Sequence, residues 1–245
     1  MQLKIIGRNS PFPAPGAACV GYLLEHQGEH VLLDCGSGVL SKLGHWLPLA
    51  ELTHVVLSHL HGDHCSDLFV LRYAADARLR WGWNDQPVKV YAPAEPAGEY
   101  GRIPYRDAMV AEPIAPGGTL QLGPFWFEFF PVAHALPGVA MRITAGDRTL
   151  AYSGDSGPCD GVVEAARQAD LFLCEATLRD QDGPGYRLGH LTGGEAGQLA
   201  AKAGARRLLL THFFPGFDPN ERGAEARRQF PGPVEVAREG EIYQV

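Results

Sequence analysis

Residues 59 to 64 read His59-Leu60-His61-Gly62-Asp63-His64, which packs four metal-capable side chains into six positions. In extended chain, side chains two residues apart project to the same side, so His59 and His61 can grip one ion together. Gly62 then relaxes the backbone, and Asp63 and His64 open an expected helix (Ser66 to Arg80) from which they could reach a second ion. Imidazole and carboxylate donors without thiolate suit zinc, with manganese or iron also compatible. Lone histidines are usually solvated loop residues, but three with an aspartate at this spacing rarely are. The run Leu52 to Ser58 leads directly into the cluster. The cluster is therefore expected on the loop leaving the C-terminal end of a buried strand, where α/β sheets place ligands.

Two ions need more ligands than one hexapeptide supplies, so the rest of the chain must bring them to the same edge. Three residues qualify: His134 after the aromatic run Phe125 to Val132, Asp155 after Thr149 to Ser153, and His212 after Arg207 to Leu210. Taken singly, each has another reading: His134 as a surface loop residue, Asp155 as a helix N-cap and His212 as a capped core histidine. Their repeated position just past a strand argues for a shared site.

At this point the chain resembles the metallo-β-lactamase superfamily over nearly its whole length, and within it the ribonuclease Z-like branch. The resemblance rests on Leu33-Asp34-Cys35-Gly36, the His59 to His64 cluster, His134, Ser153-Gly154-Asp155, Cys174-Glu175-Ala176-Thr177, Gly189-His190-Leu191-Thr192 and Leu210-Thr211-His212-Phe213. It implies a four-layer αβ/βα sandwich, and two divalent metal ions per chain. One would be held by His59, His61 and His134, the other by Asp63, His64 and His212, with Asp155 bridging. Such a pair lowers the pKa of water and clamps a phosphodiester for in-line displacement. Asp63 could orient the nucleophile as well. The resemblance further implies that His190, paired with Glu175, protonates the leaving alkoxide; a neighbouring carboxylate raises a histidine's pKa and fixes its orientation.

One departure from that pattern narrows the substrate. Members that process tRNA carry a long arm between the positions of His134 and Asp155, whereas here Arg142-Ile143-Thr144 and Thr149-Leu150-Ala151 flank a tight turn and read as a plain hairpin. The charge agrees: 21 basic against 28 acidic residues give −7, the wrong sign for a nucleic-acid surface. A small or flexible phosphodiester, nucleotide-like or cyclic, is favoured over structured tRNA. The alternatives are lactone or ester hydrolysis by the same fold, tRNA 3′-end processing, and a metal-stabilised binding module without turnover, against which the intact ligand set argues.

A chain of 245 residues that is 45% hydrophobic can bury a substantial core, and residues 1–245 are expected to form one catalytic domain. Strands are expected near Leu3 to Ile6, Ala18 to His26, His30 to Asp34, Val55 to Leu57, Val88 to Tyr91, 119–122, 125–132, 139–144, 149–153, Leu171 to Glu175 and Arg207 to Leu210, with a terminal strand pair. Further helices are expected at 158–168, Gly193 to Ala203 and Pro219 to Gln229. Five scattered cysteines, Cys19, Cys35, Cys65, Cys159 and Cys174, lack Cys-x-x-Cys spacing, so reduced thiols are expected, with Cys65 packing beside the cluster rather than binding metal.

Three segments stand out as specificity elements. They are the stiff Ser10-Pro11-Phe12-Pro13-Ala14-Pro15, the aromatics Trp81, Trp83, Tyr91, Tyr100 and Tyr105 for base stacking or a dimer face, and the Gly-rich loop Asp180 to Gly189 as a gate. Without a signal segment or an apolar run approaching a membrane span, cytoplasmic residence is expected. A two-fold homodimer is the default assembly.

Overall fold

The computed structural model describes residues 1–182 and 189–245. The first half runs β1 (Gln2–Gly7), β2 (Gly21–His26), β3 (Glu29–Leu33), α1 (Val39–Leu43), β4 (His54–Val56), α2 (Gly62–Cys65), α3 (Leu68–Arg80), β5 (Val88–Pro93), α4 (Ala97–Tyr100) and β6 (Met109–Ile114). The second runs β7 (Thr119–Leu122), β8 (Phe125–Pro131), β9 (Val139–Ala145), β10 (Arg148–Tyr152), α5 (Asp160–Ala166), β11 (Leu171–Glu175), α6 (Gly193–Ala203), β12 (Leu208–Thr211), α7 (Pro219–Arg227), β13 (Val234–Val236) and β14 (Ile242–Gln244). Among the described residues the strands form two sheets, ordered β14-β1-β2-β3-β4-β5-β6 and β13-β12-β11-β10-β9-β8-β7.

Alternation explains how the sheets meet. In β8, Phe125, Phe127 and Phe129 point inward and are buried while Trp126 faces solvent. With Leu3, Ile5, Tyr22, Leu24, Met141, Ile143 and Leu171 they fill the layer between the sheets, and each large side chain buried there contributes roughly 1.5–3 kcal/mol. Outside the first sheet, Val39, Leu43, Leu68 and Leu71 cover Leu23, Leu32 and Val55; outside the second, Val162, Ala166, Leu199 and Ala200 cover Phe172 and Leu210. The result is the expected four-layer αβ/βα sandwich. No described helix is long and apolar enough to cross a membrane.

Several expectations shift. The helix anticipated at Ser66 begins at Leu68, and Gly62–Cys65 forms its own turn, which sets Asp63 and His64 apart from the long helix. Strand β6 is missing from the sequence reading because Glu112-Pro113 looks like loop; it lies at a sheet edge, where a missing N–H is tolerated. Helices α1 and α4 are too short to show a period. The terminal strands do not pair with each other. Strand β13 runs parallel to β12, whereas β14 crosses to the other sheet and covers the open edge of β1. The hairpin β9–β10 turns at Gly146–Asp147 with Ala145 opposite Arg148, so no arm stands there.

Candidate metal centre

The parallel strands β3, β4, β10, β11 and β12 end at one edge, and the candidate residues follow those ends. Asp34 follows β3, Ser58 and His59 follow β4, Asp155 follows β10, Glu175 closes β11 and His212 follows β12. Both Asp34 (φ 55°) and His212 (φ 62°) hold left-handed backbone, a strained state that turns the chain sharply as it leaves the strand. Gly36 allows the loop after Asp34 to lie against the helical turn that carries Asp63 and His64: a Cβ there would sit 1.9 Å from the Asp63 carbonyl oxygen.

All seven expected ligands converge. His59, His61, His134 and Asp155 offer donor atoms within 4.8 Å of one another, and Asp63, His64 and His212 do the same. Hydrogen bonding fixes which nitrogen each histidine presents. Ser58 Oγ donates to Asp34 Oδ2 (2.9 Å) and therefore accepts from His59 Nδ1 (3.0 Å). His64 Nδ1 donates to Asp34 Oδ2 (2.9 Å), His134 Nδ1 to the Gly189 carbonyl (2.9 Å) and His212 Nδ1 to Thr177 Oγ1 (2.7 Å). The Nε2 atoms of these four rings are thereby left bare and aimed inward.

Ring nitrogens then crowd together. His61 Nδ1 lies 2.9 Å from His59 Nε2 and 3.0 Å from His134 Nε2, and His64 Nε2 lies 3.1 Å from His212 Nε2. A shared cation satisfies such crowded nitrogens; ligand nitrogens about 2.0–2.1 Å from a tetrahedral zinc stand roughly 3.3 Å apart. Among the described residues Asp155 Oδ1 is buried without a hydrogen bond, 3.2 Å from His64 Nε2 and 3.0 Å from His212 Nε2. Its other oxygen, Oδ2, lies 3.7 Å from His59 Nε2 and 4.0 Å from His134 Nε2, so the carboxylate faces both clusters, as a bridging group would. The donor set is suited to binding metal ions.

The electrostatics agree. Burial, with neighbouring His64, pushes His59 well below the usual imidazole range, which keeps it neutral. Burial opposes charge on His64 as well, yet the carboxylates of Asp155 and Asp34 outweigh it and hold His64 well above that range. The paired carboxylates demand positive charge at this point, which a bound cation can supply in place of a proton.

Glu175 ends a strand whose five residues are all buried, so its carboxylate must find partners inside the protein. It accepts from Ser156 N (3.0 Å) and His190 Nδ1 (3.0 Å) through Oε1, and from Thr177 Oγ1 (2.6 Å) through Oε2. Burial would lower His190, but the charge and hydrogen bond of Glu175 carry it up to about 9. A cleft of about 650 Å³ opens over the cluster, lined by Ser10, Phe12, His61, Asp63, Asp155 and His190 among others. Ser10 Oγ donates to Asp63 Oδ2 (2.7 Å), so the proline-rich N-terminal loop does reach the site.

Other expectations fall away from it. Trp81 and Trp83 are exposed beyond the far end of α3, Tyr91 is buried between the sheets, and neither these nor Tyr100 and Tyr105 line the cleft among the described residues. Cys65 is buried and directs its thiol at the Leu60 carbonyl, so it packs rather than joins the cluster. The gate expected at Asp180 to Gly189 lies largely outside the described residues. Asp34, Ser58 and Thr177 orient the histidines and carry no role in the sequence analysis; for Asp34 the available signal is an aspartate directly after a buried strand and before Cys-Gly.

The sandwich with its His/Asp-rich edge defines a metal-site class of fold, and the comparisons give the family. A beta-lactamase superfamily domain matches residues 29–213, and the chain belongs to that family, in a short, ribonuclease Z-like form. It is 35% identical over 246 residues to the probable metallo-hydrolase YhfI of Bacillus subtilis, covering 100% of both chains. The crystal structure of that metallo-beta-lactamase fold protein superposes with a TM-score of 0.94 at 33% identity, over 99% of this chain and 98% of the other. A ribonuclease Z of Thermobifida fusca is 27% identical over 300 residues, covering 97% of this chain and 92% of that protein. Human tRNase Z, short form, shares the fold, with a TM-score of 0.79 at 23% identity over 100% and 99% of the two chains.

Proposed function

We propose that the protein is a dinuclear metal-dependent phosphodiesterase acting on small or flexible phosphodiesters. The carrying observation is the His190–Glu175 pair at the rim of the His/Asp cluster, because carbonyl hydrolysis at such a site has less need of a positioned acid. His59, His61 and His134 would hold one ion, Asp63, His64 and His212 the other, and Asp155 would bridge; zinc suits the donors best, with manganese or iron compatible. Bound there, divalent ions supply electrophilic activation of the phosphoryl oxygens and lower the pKa of water.

The chain's own residues do the remainder. Glu175 takes the Nδ1 proton of His190 into a 3.0 Å hydrogen bond and so aims Nε2 away from itself, toward the cleft that His190 lines. As the P–O bond to the departing group breaks, His190 Nε2 delivers a proton to that oxygen. Asp63, held by Ser10, orients the attacking water. No lysine or arginine lines the cleft among the described residues, which favours a small substrate over structured RNA.

The test is hydrolysis of bis(p-nitrophenyl) phosphate by metal-analysed wild type and His190→Ala, with a simple lactone in parallel. Two metals per chain and a loss on the order of 10²-fold or more in the variant are expected. Lactone turnover indifferent to His190, without phosphodiester turnover, would overturn the assignment in favour of carbonyl hydrolysis.

A further inference from the structure

The cleft has one wall the chemistry above does not use. Phe12 is 49% exposed although it lines the same cleft as His61, Asp63 and His190. Its neighbours Pro11 and Pro13 also line the cleft and limit the backbone freedom of the loop. From behind, Phe214 meets the ring edge-to-face at 5.5 Å, Phe217 packs on Phe214 at 5.0 Å, and the Arg179 guanidinium lies 4.0 Å from the Phe217 ring. Arg179 is itself held by Asp182 (2.8 Å). The Phe12 ring is therefore braced by a neighbouring aromatic cluster while about half of it stays exposed beside the cleft.

We propose that Phe12 is a specificity-determining residue that stacks an aromatic ring of the substrate, a nucleobase or aryl group, while the phosphate sits at the His/Asp cluster. The inference rests on the phosphodiesterase reading and deepens it. A braced, solvent-facing ring beside a polar centre gives apolar contact area without ordering cost, and a planar group is the complement that covers it.

Binding of adenosine 5′-monophosphate and of ribose 5-phosphate to the zinc-loaded protein, measured by calorimetry, isolates the ring, since the two differ by the base. Stacking on one aromatic side chain predicts that wild type prefers the nucleotide by about 5- to 150-fold. Phe12→Ala is expected to collapse that ratio toward unity with the ribose 5-phosphate affinity kept, and Phe12→Trp to preserve it. Equal affinities in wild type, or an equal loss of both ligands in Phe12→Ala, would overturn the proposal. If wild type turns over bis(p-nitrophenyl) phosphate but shows no preference, only the role of Phe12 fails. If it neither turns over the diester nor binds either ligand, the phosphodiesterase reading fails with it.

Discussion

Asp34→Asn tests the logic of the site without touching any proposed ligand. The Asp34 carboxylate is fully buried and accepts four hydrogen bonds: Ser58 N at 2.7 Å on Oδ1, and Ser58 Oγ at 2.9 Å, His64 Nδ1 at 2.9 Å and Tyr152 OH at 2.6 Å on Oδ2. Asparagine has the same shape and tolerates the left-handed backbone found there, so strain is not introduced. With its oxygen kept on Ser58 N, its NH₂ faces three donors. The two hydroxyls can rotate to accept, but His64 can accept only by moving its proton to Nε2, the atom aimed at the cluster.

Losing a hydrogen bond to a charged group costs about 1.5–3 kcal/mol. At about 1.4 kcal/mol per decade this is roughly 10- to 100-fold in affinity for the ion held by Asp63, His64 and His212. Competitive chelator titration of the purified protein, stepwise for two ions, reads it directly. The ion assigned to His59, His61 and His134 is expected to be weakened far less, although Ser58 is shared. Unchanged affinity at both steps, with a folded variant, would refute the argument that Asp34 sets the tautomer of His64.

Gly36→Ala is expected to destabilise by about 3 kcal/mol or more in thermal denaturation, because the new methyl group collides with backbone. Gly62→Ala, where a Cβ meets nothing within 4 Å, should stay within about 0.5 kcal/mol of wild type. For His190 the folded pKa of about 9 lies above the ordinary value of 6.5, so the protonated acid persists to alkaline pH. Phosphodiester turnover should therefore fall as pH rises through about 9, and His190→Ala should lack that limb in a pH–rate profile. The same shift stabilises the fold fully below pH 6.5, and that contribution fades as pH passes about 9.

Much of the site was legible because short-range geometry writes it into the chain. His59 and His61 sit two apart on extended backbone, and Asp63 and His64 follow one glycine later, so local spacing alone placed them together. His134, Asp155 and His212 were legible as residues just past buried strands, since parallel strands of one sheet deliver their C-terminal ends to one edge. The aromatic residues from 81 to 105 do not line the cleft among the described residues, because which side chains stand near the strand ends is set by packing between distant segments that local sequence does not record.

Tertiary structure alone decided the rest. Asp34 gains its role only because Tyr152, from the opposite sheet, and His64, thirty residues on, converge on one buried carboxylate. Glu175 serves His190 and, through Thr177, His212, three partners brought together from the ends of β11 and β12 and the approach to α6. The fate of the terminal strands likewise turned on which edge stood open, a property of the assembled sheets. The amino-acid sequence determined which donors exist and which strands carry them; the fold decided which proton each donor holds and what lies across the cleft. That division is physical: backbone periodicity acts over a few residues, whereas hydrogen-bond partnership and burial are settled by packing between segments far apart in the chain.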